Sequence, residues 1–178
     1  MMKENLLNFY KLISTNSKVY CSNIIGIEDT IEWVSLFEFE DKQKKGKLGI
    51  ASNGIWIIED KNKIHLIDSF NKYLCCVSML ETPAQLIIKQ LQMKFGNIIE
   101  KQSISMLFPF YEIIEFTLSK MEQDYWFELA MVWYEILEDW EKIKLEKLLL
   151  VICRNKKFSQ KNRQTVCKKM RFMQKIKQ

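Results

Sequence analysis

The chain has one histidine, His65, in the run IHLID, three residues before Asp68. On a regular strand an odd offset places two side chains on opposite faces, so this pair does not form a local acid–base couple. No G-x-S-x-G elbow supplies a nucleophile for it. One histidine also excludes a two-histidine acid–base pair and makes a histidine-based metal site hard to assemble. His65 therefore reads as a cross-strand packing or hydrogen-bonding residue. An enzyme built on it would show a pH-dependent activity that His65→Ala abolishes. The cysteines are Cys21, Cys75, Cys76, Cys153 and Cys167, an odd number with no C-x-x-C pair. That spacing fits neither a zinc site nor a disulfide framework, so free and mostly buried thiols in a reducing cytosol are expected. No electropositive sequence neighbour marks Cys75-Cys76 as a low-pKa pair. There is no P-loop and no G-x-G-x-x-G. A non-catalytic protein without metal or cofactor is the expectation.

Charge carries more information. From Glu112 to Glu141 there are nine acidic residues and one basic; from Lys142 to Gln178 there are thirteen basic and one acidic. The net charge of +5 for the whole chain hides this split. At about 100° per residue, Asp124, Glu128, Glu135, Glu138 and Asp139 share one arc of a helix. Trp126, Ala130, Trp133 and Leu137 share another, which would face the core. Glu112 and Glu115 extend the carboxylate stripe. The stripe would suit a basic partner and speed its capture, with Tyr134 and Trp140 beside it as aromatic anchors. Lys161, Lys168, Arg171 and Lys175 line one face of the last helix and offer an alternative, phosphate-binding surface for nucleic acid. No helix-turn-helix glycine, RNP motif, KH loop or zinc finger accompanies them. The plainer reading is that charged outer faces keep a bundle soluble and that its acidic and basic helices attract one another.

These side chains need a scaffold. Leu6, Leu7, Tyr10 and Ile13 predict a helix over 3–14. WVSLFEFE, LGIA, IWIIE and IHLID, joined by DKQKKGK, Asn53-Gly54 and Lys61-Asn62, predict a three- or four-stranded antiparallel meander over 33–68. YLCCVSML (73–80) reads as a further extended run. DKQKKGK reads as charged protection of an exposed sheet edge. In ETPAQLIIKQLQMKFG, Thr82 is the expected N-cap, Gln85 completes a capping box and Gly96 is the C-cap. Helices follow over about 108–121, 125–139, 142–154 and 160–176, the last capped by Ser159. LEKLLLVIC is apolar nearly all round and reads as the buried centre of the bundle.

The expected class is α+β: an N-terminal helix and small antiparallel β-meander (1–81), then an antiparallel α-helical bundle resembling stacked helical hairpins (82–178). Hydrophobic content of 48% with 28% charged residues is that of a globular chain, not a disordered one. No stretch of about 18 uncharged apolar residues predicts a transmembrane helix. MMKENLLNFYKLIST lacks the long apolar region of a signal peptide, so a cytoplasmic protein is expected.

The meander GIASNGIWIIEDKNKIHLID, followed by helices containing WFELAMVWYEILED and NKKFSQKNR, resembles bacterial immunity proteins. These protect cells from polymorphic toxins, including contact-dependent growth inhibition toxins. The resemblance is one of style and ordering over residues 31–178, and it transfers no site residue. It implies a cytosolic, non-catalytic protein that binds one cognate toxin domain and blocks its active site. Many such toxins are basic nucleases, which an acidic face would suit; the basic last helix departs from the simplest version of that picture.

Overall fold

The computed structural model describes residues 2–26, 29–40, 45–60, 63–100, 104 and 106–176. The fold is α+β: an N-terminal helix, a five-stranded antiparallel sheet, then helices. The chain divides into two compact units, Met1–Pro109 and Phe110–Gln178. The division expected at 82 therefore lies further on, because helix α2 (Ala84–Phe95) belongs with the strands. It packs on β2 (Thr30–Glu40), where the Lys94 ammonium donates to the Ser35 carbonyl (2.7 Å).

In the first unit, α1 (Met2–Ser14) buries Leu6, Tyr10 and Ile13 and packs on β2 and β3 (Lys45–Ala51). The Asn53-Gly54 turn joins β3 to β4 (Trp56–Asp60), with Gly54 at φ 72° as that hairpin requires. β5 (Lys63–Ile67) completes the expected meander. The turns at 41–44, within DKQKKGK, and at 61–62 lie outside the described residues. A strand not anticipated, β1 (Val19–Asn23), pairs antiparallel with β2. The sheet then curls until the segment after β1 meets β5: the Ile25 N–H donates to the Ile64 carbonyl (3.2 Å) and Ile24 bridges Ile64 in parallel. Trp33, Ala51, Ile57 and Ile64 fill the inside of this curl. Tyr20 stacks on Trp33 (centroids 4.8 Å apart), and the indole N–H donates to Ser22 Oγ (3.0 Å). Gly49 makes room for the indole: a Cβ there would lie 2.5 Å from the Val34 carbonyl oxygen and 2.6 Å from a Trp33 ring carbon.

The expected extended run at 73–80 is instead part of a 3-10 helix, Phe70–Glu81. Its β-forming residues yield to burial of Tyr73, Cys76, Val77 and Leu80 on one side. The N-cap of α2 is Pro83, which has no side-chain cap, and not Thr82, which instead closes the 3-10 helix with its N–H on the Met79 carbonyl; Gly96 does end α2, in right-handed geometry.

The second unit comprises α3 (Phe110–Lys120), α4 (Asp124–Tyr134), α5 (Asp139–Arg154) and α6 (Gln160–Ile176). The single helix expected over 125–139 breaks at 135–138. The cause is a carboxylate capping box. Glu138 accepts from the backbone of the first turn of α5, and the Glu141 carboxylate accepts the Glu138 N–H (2.9 Å). Ser159 caps α6 as expected, accepting the Asn162 N–H (3.2 Å). α3 packs on α4, and α5 on α6.

Not all the thiols are free. Cys153 and Cys167 form a disulfide between α5 and α6 (Cα–Cα 5.6 Å), while Cys21 and Cys75 are exposed thiols and Cys76 is buried. Only three-dimensional packing brings this pair together, since its spacing of 14 residues has no motif character. Cross-linking a loop of this length stabilises by about 3 kcal/mol in the chain-entropy account. Cys153→Ser is expected to lower the melting temperature of the oxidised protein and leave that of the reduced protein unchanged. An equal fall in both states would show that the bond adds nothing.

Candidate functional site

The carboxylate stripe exists, but α6 and the turn before it engage most of it. Asp124 accepts from the Ser159 N–H (3.2 Å) and from the Asn162 side-chain amide (2.8 Å), which holds its pKa below the ordinary carboxylate value. Lys161 pairs with Glu128 (2.9 Å), Lys169 with Glu135 and Lys157 with Glu122. Each exposed pair contributes little to stability, yet together they neutralise the wall that was to meet a basic partner. The break after Tyr134 removes Glu138 and Asp139 from α4 altogether: Glu138 caps α5 and Asp139 opens it. Tyr134 is buried (3% exposed) and so unavailable as an anchor. Burial also pushes its hydroxyl up to about 12. Glu112 and Glu115 lie on α3, partly buried. Of the phosphate-binding candidates, Lys161 is paired and Lys168 is exposed; the side chains of Arg171 and Lys175 lie outside the described residues.

Trp140 keeps its expected place on the surface, 53% exposed, and it has company that sequence reasoning missed. α5 buries Leu145, Leu149 and Ile152 but exposes Ile143, Leu150 and Val151 (62%). The run read as the buried centre of the bundle therefore has one buried side and one open side. At about 100° per residue Trp140, Ile143, Leu150 and Val151 fall within one arc, an apolar strip about three turns long that lysines interrupt. A signal was available: LEKLLLVICR still carries Glu146, Lys147 and Arg154, charges that a helix enclosed on all sides would not tolerate.

Beside the strip lies an electrostatic cluster. The Lys144 ammonium sits over the Trp140 ring (4.3 Å) and the Tyr111 ring (5.7 Å). Burial and the neighbouring Glu141 and Glu115 carboxylates push Glu112 up to about 7, opposed by Lys144. A folded-state pKa raised from 4.5 means that the native chain holds a proton the unfolded chain has released. Stability from this group is thus fully present below 4.5 and is lost as pH rises through 7. Glu112→Gln is expected to remove that slope and stabilise the protein above neutrality by about 2 kcal/mol, allowing for partial exposure. Thermal unfolding across the acidic-to-neutral range checks this; parallel curves for the two proteins would contradict it.

The first unit holds clefts among its described residues. One, of about 630 Å³, is lined in part by His65, Asp68, Lys72 and Cys75. Asp68 pairs there with Lys72 (3.0 Å), and the Cys75 thiol donates to the Lys72 carbonyl (2.8 Å). Another, of about 360 Å³, lies beside Tyr20 and Trp33 and is flanked by Lys47 and Glu59. Among the described residues no group of three or more His, Cys, Asp or Glu could hold a metal ion. Nor, among them, is any helix long and apolar enough to cross a membrane. No protein family, curated protein or solved structure matches the chain.

Proposed function

We propose that the protein is a non-catalytic binding protein of the immunity type, which seizes one toxin domain and covers its active site. The observation that supports this reading is the open apolar strip of α5, centred on Trp140 and Val151. Exposed apolar surface of this kind, carrying a tryptophan, is what a partner can bury for affinity. The binding face moves with it: from the carboxylates of α4, engaged by α6, to the neighbouring helix. The nucleic-acid alternative loses Lys161 to its pairing with Glu128. A cytoplasmic location belongs to the same reading, and there the Cys153–Cys167 pair would be held as two thiols.

The test is co-expression with a toxin domain encoded beside its gene. The expected result is cell survival and a one-to-one complex on size exclusion. Cell death despite abundant protein, with no complex formed, would end the reading.

A further inference from the structure

The strip on α5 is not purely apolar. Lys144, Lys147 and Arg154 share its arc, which spans about 120° at 100° per residue. All three are exposed, and among the described residues neither Lys147 nor Arg154 makes an ion pair. Lys144 rests on the face of Trp140. The acids of the helix keep out of the arc: Glu141 points away, with its carboxylate on the Glu138 N–H, while Asp139 and Glu146 lie at one edge.

We infer that this face of α5 takes a protein surface with an apolar hollow ringed by carboxylates, a conclusion that rests on the binding reading above. A partner that covers Trp140 and Val151 must also take Lys147 and Arg154 out of water, whereas Lys144 already has the Glu112 and Glu141 carboxylates near it. A cation desolvated without a counter-charge is costly, so a purely apolar or basic partner gains little from this face. Carboxylates placed between its apolar groups offset that cost and supply charge-assisted hydrogen bonds, most of all to the Arg154 guanidinium. The toxin surface the protein recognises is therefore acidic, the reverse of the charge that the α4 stripe suggested. Trp140 serves as the central anchor, with Lys144 stacked on its ring.

Three probes test this at low salt: a labelled amphipathic peptide of leucine and glutamate, its leucine–lysine counterpart, and phosphatidylcholine vesicles with and without about 30% phosphatidylserine. The acidic peptide is expected to bind about tenfold or more tightly than the basic one. Lys147→Glu with Arg154→Glu should reverse that order, and Trp140→Ala with Val151→Asp should abolish binding of the acidic peptide. Failure to bind the acidic peptide, or a preference unchanged by the charge reversal, overturns the inference. So does capture by phosphatidylserine vesicles without binding of the acidic peptide, which would make a lipid surface the occupant. Loss of binding on the apolar substitutions alone would leave the binding reading standing and remove only the acidic partner. Binding indifferent to both pairs of substitutions would remove the binding reading as well.

Discussion

Trp33→Ala is expected to lower the stability of the sheet unit by about 4 kcal/mol, the usual scale for emptying a buried aromatic site. The indole is 1% exposed, holds Tyr20 against its face and donates to Ser22, so it ties β1 to β2 from inside the curl. Its loss leaves a cavity among Ala51, Ile57 and Ile64, which strand pairing keeps from collapsing. Urea unfolding followed by far-ultraviolet circular dichroism measures the change; a loss below about 1 kcal/mol would mean that the curl stands without its filling. The opposite error is penalised at the same place. Gly49→Ala pushes a methyl group against the Val34 carbonyl and the Trp33 ring and should cost about 2–3 kcal/mol.

The second large effect is on binding. Trp140→Ala with Val151→Asp is expected to weaken the cognate complex by about a hundredfold or more, while leaving the melting temperature nearly unchanged. Both side chains are more than half exposed, so they contribute to an interface and little to the fold. Charge reversal of Glu128, Glu135 and Asp139 together should act the other way round. It sets Glu128 of α4 and Glu135 just past its end against Lys161 and Lys169, so stability should fall while affinity is largely kept. Titration calorimetry on both variants separates the two surfaces. If the charge reversal abolished binding and the α5 pair did not, the interface would return to α4.

Local chemistry made part of this legible from the residues alone. Asn53-Gly54 announces a hairpin because both positions accept positive φ, and Ser159 announces a helix start because its hydroxyl can take an amide proton. Other features depended on distance. β1 is a short alternating strand whose reason to be extended is the edge of β2, and nothing within Val19–Asn23 states that. The 3-10 helix left a trace that β-forming residue types masked: Tyr73, Cys76, Val77 and Leu80 recur at helical intervals. The break between α4 and α5 was hidden because glutamate is an unusual cap, although Glu138 and Glu141 have the spacing of a capping box. The carboxylate stripe was visible in the sequence, but the partners of Asp124, Glu128 and Glu135 lie 33–38 residues away, beyond any local rule. The Cys153–Cys167 bond, 14 residues apart, was hidden in the same way, since no local rule pairs those positions.

The α4–α6 pairing separates what holds the second unit together from what it displays. Its ion pairs and the Phe127–Phe158 contact fasten the helices from positions that leave the outward strip of α5 untouched. Residues 140, 143, 147, 150, 151 and 154 can therefore drift with little penalty to the scaffold. A lineage pressed to follow a changing adversary could rewrite specificity there, one side chain at a time, without first having to re-evolve a foldable bundle.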